Sequence, residues 1–212
     1  MQNPNKPRWY QFSLRTLLLV ISAICLGPGG YVAYKQGKAK ELQQTVAAIE
    51  SLGGYVFYDE SVPVRSGLKK MILGDDSFGN VSGVDFNPLK TENRQITDRD
   101  LRLLRSFPRL NHLVIKNCQQ VSDDGLSELS RLPNLQYLYL NDTPITDAGL
   151  AHLAALKNLK ELSLTDTKVT GAGLVQLSGL TNLNFLYLYS KRDAPLDTAQ
   201  LQRALPKCCI NR

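Results

Sequence analysis

Apolar residues return at a fixed interval across residues 96–192. Aligned by their starts, four segments read ITDRDLRLLRSFPRLNHLVIKNCQQ from Ile96, VSDDGLSELSRLPNLQYLYLNDTP from Val121, ITDAGLAHLAALKNLKELSLTDTK from Ile145 and VTGAGLVQLSGLTNLNFLYLYSKR from Val169. The first holds 25 residues, the additional one at Gln119 or Gln120, and the others hold 24. Leu101, Leu126, Leu150 and Leu174 share one register position; Leu113, Leu138, Leu162 and Leu186 another; Ile115, Leu140, Leu164 and Leu188 a third. Within each segment the last of these positions alternate, which predicts a short strand with Leu138 and Leu140 inward and Tyr137 and Tyr139 outward. The Thr/Ser-Asp pair ahead of the Gly-Leu step, as in Thr146-Asp147-Ala148-Gly149-Leu150, predicts an N-capped short helix burying Leu150, Leu153 and Leu156. One such unit cannot cover its own apolar face, so neighbours must stack into a shared core.

A period of 24 residues containing Leu-x-x-Leu-x-Leu resembles a leucine-rich repeat. The Ile-Thr-Asp-x-Gly-Leu phrase is similar to the cysteine-containing subtype and its bacterial relatives. The resemblance implies a right-handed α/β solenoid, with short parallel strands on the concave face and short helices on the convex face. It also implies that Cys118, Thr143 and Thr167 bond turn backbone through their side chains, with Lys191 at that position marking a frayed final turn. Asp100 departs from the pattern set by Gly125, Gly149 and Gly173; a first repeat has no identical neighbour before it and tolerates the change. Residues 193–212 read as a closing half-repeat, with Cys208 in the place of Leu135 and Ile210 ending the core.

Before the repeats the pattern changes. Residues 1–35 hold a polar tail and an apolar stretch, Leu17–Tyr34, whose length approaches a hydrocarbon core of roughly 30 Å. Trp9 and Tyr10 on one side and Tyr31 and Tyr34 on the other fit interfacial aromatic belts. The expected element is a transmembrane signal anchor over 17–34. A cleaved signal peptide remains open, because the strongly apolar run Leu17–Leu26 is only ten residues long, and so does a buried helix. Residues 36–95 read as a juxtamembrane helix and an N-terminal cap: a helix over Gln36–Leu52 stopped by Gly53-Gly54, a strand at Tyr55–Tyr58, a short helix around Gly67–Leu73, and a strand at Val81–Phe86. This part resembles membrane-anchored bacterial repeat proteins, less specifically than the repeats do.

Charge sharpens the picture. The net charge is +6, yet Lys6, Arg8, Arg15, Lys35, Lys38 and Lys40 account for all of it. The 19 remaining basic residues balance 19 acidic ones. Nucleic-acid binding is excluded, since it needs cations gathered on the binding face. Three basic residues lie on each side of the apolar segment. The N-terminal amine then tips the repeats towards the non-cytoplasmic side.

The chemistry-bearing residues do not converge. His112 belongs to the outward strand face and His152 to a solvated helix, neither with a nucleophile beside it. Asp75-Asp76 and Asp123-Asp124 read as turns or caps. The four cysteines have no metal-ligand spacing, and adjacent Cys208 and Cys209 are expected as two buried or half-buried thiols. No cofactor, metal or catalytic residue is expected.

Repeat geometry instead predicts three outward columns: His112, Tyr137, Glu161, Phe185; Val114, Tyr139, Ser163, Tyr187; and Lys116, Asn141, Thr165, Tyr189. Strands two apart are separated by roughly 10 Å. Tyr137 and Tyr139 on one side, and Phe185, Tyr187 and Tyr189 on the other, should therefore wall a slot floored by Glu161, Ser163 and Thr165. Such a slot fits a protein or peptide partner. An envelope carbohydrate, or self-association through the sheet, is the alternative.

Overall fold

A computed structural model describes residues 14–59, 80–86, 96–190 and 197–212, with side chains from residue 30 onward. The first described element is a 38-residue helix, α1 (Leu14–Ser51). The anchor segment and the juxtamembrane helix expected as two elements are thus continuous. Among the described residues no helix is long and apolar enough to cross a membrane. Ala39, Leu42, Val46 and Ile49 are buried at helical spacing, the last three within the main core. Between residues 30 and 38 of α1 no side chain is buried. Gly53, at φ 83°, ends α1, and the Gly54 N–H returns to the Ile49 carbonyl at 3.0 Å.

Strands β1 (Tyr55–Tyr58) and β2 (Val81–Phe86) pair antiparallel. From β2 onward every pairing is parallel: β3 (His112–Ile115), β4 (Tyr137–Tyr139), β5 (Glu161–Ser163), β6 (Phe185–Tyr187) and β7 (Cys209–Asn211) follow in chain order in one seven-stranded sheet. Between them run a 3₁₀ segment (Asp100–Ser106), α2 (Asp123–Leu129), α3 (Asp147–Leu153), α4 (Gly171–Leu174) with a 3₁₀ turn (Val175–Gly179), and α5 (Ala199–Ala204). Leu101, Leu126, Leu150 and Leu174 meet Leu113, Leu138, Leu162 and Leu186 in one core, all at 0% exposure. The expected register holds through the four repeat strands β3 to β6, and the closing strand β7 joins it with one residue fewer between Cys208 and the position paired with Phe185.

The expected helix caps work differently. Only Thr146 caps its own helix, its hydroxyl accepting from the Ala148 N–H at 3.3 Å; Ser122 and Thr170 make no such bond. All three residues instead bind the aspartate of the preceding repeat. Asp98 accepts from the Ser122 N–H and hydroxyl at 2.8 and 2.6 Å. Asp123 does the same for Thr146 at 2.9 and 2.6 Å, and Asp147 for Thr170 at 2.7 and 2.6 Å. The carboxylates form a ladder that staples successive repeats.

The ladder explains the glycines. A Cβ on Gly125, Gly149 or Gly173 would lie within 2.4 Å of the Oδ1 of Asp98, Asp123 or Asp147. Asp100 departs for the complementary reason. Among the described residues no stapling aspartate reaches the first repeat, and Asp100 Oδ2 itself accepts from the Thr97 N–H and hydroxyl at 2.9 and 2.7 Å. The ladder ends at Gly171, where a Cβ would meet the Asp197 backbone at 2.6 Å.

A second ladder joins the loops before the strands. Asn134, Asn158 and Asn182 donate through Nδ2 to the carbonyls of Pro108, Pro133 and Lys157 at 2.7–2.9 Å. Beyond the strands, Asn117, Asp142 and Asp166 adopt positive φ, which Asn and Asp tolerate best among residues with side chains. Thr143 and Thr167 then donate to the Leu140 and Leu164 carbonyls at 2.7 and 2.8 Å, and Cys118 to the Lys116 carbonyl at 3.2 Å, as the resemblance implied.

At the C-terminal end the Cys208 N–H donates to Leu205 as the Leu135 N–H does to Leu132, so Cys208 takes the leucine position. Cys208 is buried and Cys209 exposed, which corrects the expectation of two covered thiols; both are free. The helix expected around Gly67–Leu73 and the Lys191 turn lie outside the described residues.

Candidate functional site

The strand registers align outward residues into columns on the sheet face that the helices leave open. One column runs Phe57, Gly83, His112, Tyr137, Glu161, Phe185, Cys209. The next runs Tyr55, Asp85, Val114, Tyr139, Ser163, Tyr187, Asn211. Adjacent members sit about 4.8 Å apart, close enough for direct side-chain contact.

The residues expected to line the slot share this face, but they do not form an open trough. The Tyr139 hydroxyl reaches diagonally across and donates to Glu161 Oε1 at 2.6 Å. Ser163 is only 3% exposed, and its hydroxyl pairs with that of Thr165 at 3.2 Å. The expected floor is therefore covered at Ser163. Tyr137 and Tyr187 are half-buried, while Phe185 and Tyr189 stand 44% and 59% exposed. Burial, together with the hydrogen bond to Glu161, raises the Tyr139 phenol pKa and keeps it neutral.

On the other flank lies a group that sequence reasoning underweighted. The His112 ring is half-buried, 5.7 Å from the Tyr137 ring and 5.6 Å from the Tyr139 ring. The Lys116 ammonium sits 5.7 Å above the Tyr139 ring in cation–π geometry. Gly83 leaves room for the Phe57 ring, since a Cβ there would approach Phe57 Cδ2 at 3.1 Å and His112 Cβ at 3.3 Å. Asp85 completes the group, and its Oδ1 is buried without a hydrogen-bond partner.

The titration behaviour follows from this setting. Burial raises the Asp85 pKa, opposed by the nearby charges of Lys116 and His112. Burial lowers that of His112, opposed by Asp85 and Glu161, so the imidazole is neutral at pH 7. The Cys118 and Cys208 thiols are pushed up to about 11, mainly by burial, and are poor nucleophiles. Among the described residues no group of three or more His, Cys, Asp or Glu side chains is placed to hold a metal ion.

Asp85, Tyr55 and Phe57 precede the repeats, where no periodic column marks them. The alternation in Val81–Phe86 did carry a signal: Val84 and Phe86 are inward, so Asp85 faces out.

The opposite side of the molecule is bland. Every large apolar side chain that stands exposed among the described residues belongs to α1, to β1, or to the open face around β6. The helices behind the sheet carry none. Glu128 on α2 is paired there with Arg102 and Arg105.

The family model for leucine-rich repeats, in two copies, matches residues 133–171, so the chain carries leucine-rich repeats. A crystal structure of an internalin from Listeria monocytogenes aligns at 25% identity and a TM-score of 0.35, over 56% of this chain. This chain spans 38% of that structure's length. No curated protein matches.

Proposed function

We propose that this leucine-rich-repeat chain is a non-catalytic binding module, tethered to a membrane through residues 17–34, that captures a protein or peptide partner on its concave sheet face. The observation that carries the reading is the distribution of exposed aromatic side chains. On the repeats and the paired N-terminal strands, Tyr55, Phe57 and Phe185 share the open-face columns, and the helices behind the repeats carry no exposed large apolar side chain among the described residues. Exposed aromatics clustered on a rigid surface bury large area on binding at small entropic cost. Stapled by two ladders, the sheet offers that surface pre-organised.

The tether rests on the apolar run and on Tyr31 and Tyr34, which stand 53% and 67% exposed on the projecting part of α1. Lys35 lies over the Tyr31 ring at 5.9 Å, the pairing expected of residues at a headgroup boundary. The repeats would then lie on the non-cytoplasmic side.

Crosslinking capture tests the binding reading. The full-length chain and its Tyr139→Ala/Tyr187→Ala variant are compared in membranes. A discrete adduct with the parent, lost from the folded variant, supports the proposal. Equal adducts from both would move recognition off this face.

A further inference from the structure

We infer that the partner segment carries an arginine or lysine, and that Asp85 is the anion that receives it. This rests on the open sheet face being the binding surface, and it adds the partner's chemistry.

Asp85 is held on that face by β2, one strand in from the N-terminal edge of the sheet. Val84 and Phe86 on either side are locked in the core, and the register sets Asp85 between Tyr55 and Val114. Its Oδ1 is buried with no donor, a state that costs free energy in the unbound protein and is relieved when a donor arrives. Half-burial of Asp85 raises its pKa, so a cation that restores its solvation gains more here than at an exposed carboxylate.

The charges of the group select the sign of the ligand. Asp85 and Glu161 are two carboxylates; Lys116 is the one cation in the group, and His112 is neutral at pH 7. The group is net negative. The orphaned Asp85 oxygen calls for an N–H donor, which guanidinium supplies.

Lys116 shows how a cation is accommodated. Its ammonium is near enough to lower the Asp85 pKa, yet it sits over the Tyr139 ring instead of closing on the orphaned oxygen. An incoming guanidinium finds both elements in place: an aromatic face to stack on and a carboxylate to bind. Lys116 is an internal competitor for that ring. Removing it should strengthen binding, the reverse of what loss of an ordinary contact residue does.

The test uses the full-length chain in uncharged detergent with two capped heptapeptides, Gly-Ala-Ala-Arg-Ala-Ala-Gly and the same sequence with citrulline for arginine. Citrulline keeps the shape and removes the charge. Binding is read from tyrosine fluorescence and from the carboxyl ¹³C resonance of Asp85.

The arginine peptide should bind about tenfold tighter than the citrulline peptide and lower the Asp85 pKa. Asp85→Asn should abolish the preference, and Lys116→Met should tighten the arginine peptide several-fold. Equal binding of both peptides, lost in Tyr139→Ala/Tyr187→Ala, would overturn the cation inference and leave the binding face standing. Retention of the preference in Asp85→Asn would overturn the assignment to Asp85. Absence of binding by either peptide would overturn it as well, while the crosslinking comparison judges the face independently.

Discussion

The two sides of each repeat obey different rules. Behind the sheet the same bonds recur: an aspartate receives the N–H and hydroxyl of the next repeat's Ser or Thr, and a glycine makes room for it. On the open face no two rows match. His112, Tyr137, Glu161 and Phe185 occupy one register position in four successive strands. Translation symmetry belongs to the part that holds the solenoid together, and its absence marks the part free to recognise something else.

That contrast can be broken first at the ladder. Asp123→Ala removes the acceptor of two bonds to Thr146, and each bond to a charged group contributes about 1.5–3 kcal/mol. A loss of about 2–3 kcal/mol in denaturant unfolding is expected, with the open face unaltered.

Asp100→Gly gives a sharper result. It restores the repeat pattern in the first unit, yet it should destabilise by about 1–2 kcal/mol, because it removes the carboxylate that accepts from both the Thr97 N–H and hydroxyl. A stabilising outcome would show that the glycine is favoured for itself and not for the neighbouring aspartate.

On the open face the expected effects are smaller. Tyr139→Phe removes one half-buried hydrogen bond and should cost about 1 kcal/mol in the same assay.

The smallest effect is a pH dependence. The folded-state pKa of His112 lies below 6.5, so the unfolded chain binds the proton first as pH falls. Thermal stability should decline as pH drops through 6.5 and level off below the folded-state value. His112→Phe should flatten that slope.

The repeat register was legible in the sequence because leucine columns recur at a fixed spacing, and each strand appeared where the alternation put it. The ladders were not legible. Thr146-Asp147 has the composition of a local cap, and only the three-dimensional stack brings Asp123 to Thr146 across 23 residues. Asn134, Asn158 and Asn182 recur in the aligned segments, but nothing local tells that they bond backwards.

The candidate site was half legible. Periodicity gave the outward columns of Tyr137, Tyr139, Glu161, Phe185, Tyr187 and Tyr189. It could not give the diagonal bond from Tyr139 to Glu161, because that bond joins neighbouring columns, nor the burial of Ser163. Asp85 and Phe57 lie outside the repeats, where no neighbour supplies a register.

The central claim, that recognition belongs to the irregular side, is tested most directly by site-specific photo-crosslinking. Phe185 on the open face and Ala151 on α3, both exposed, are replaced in turn by photo-reactive benzoylphenylalanine in the full-length chain. A discrete adduct from position 185 and none from position 151 is the predicted result. An adduct from position 151 alone, or equal adducts from both, would contradict it.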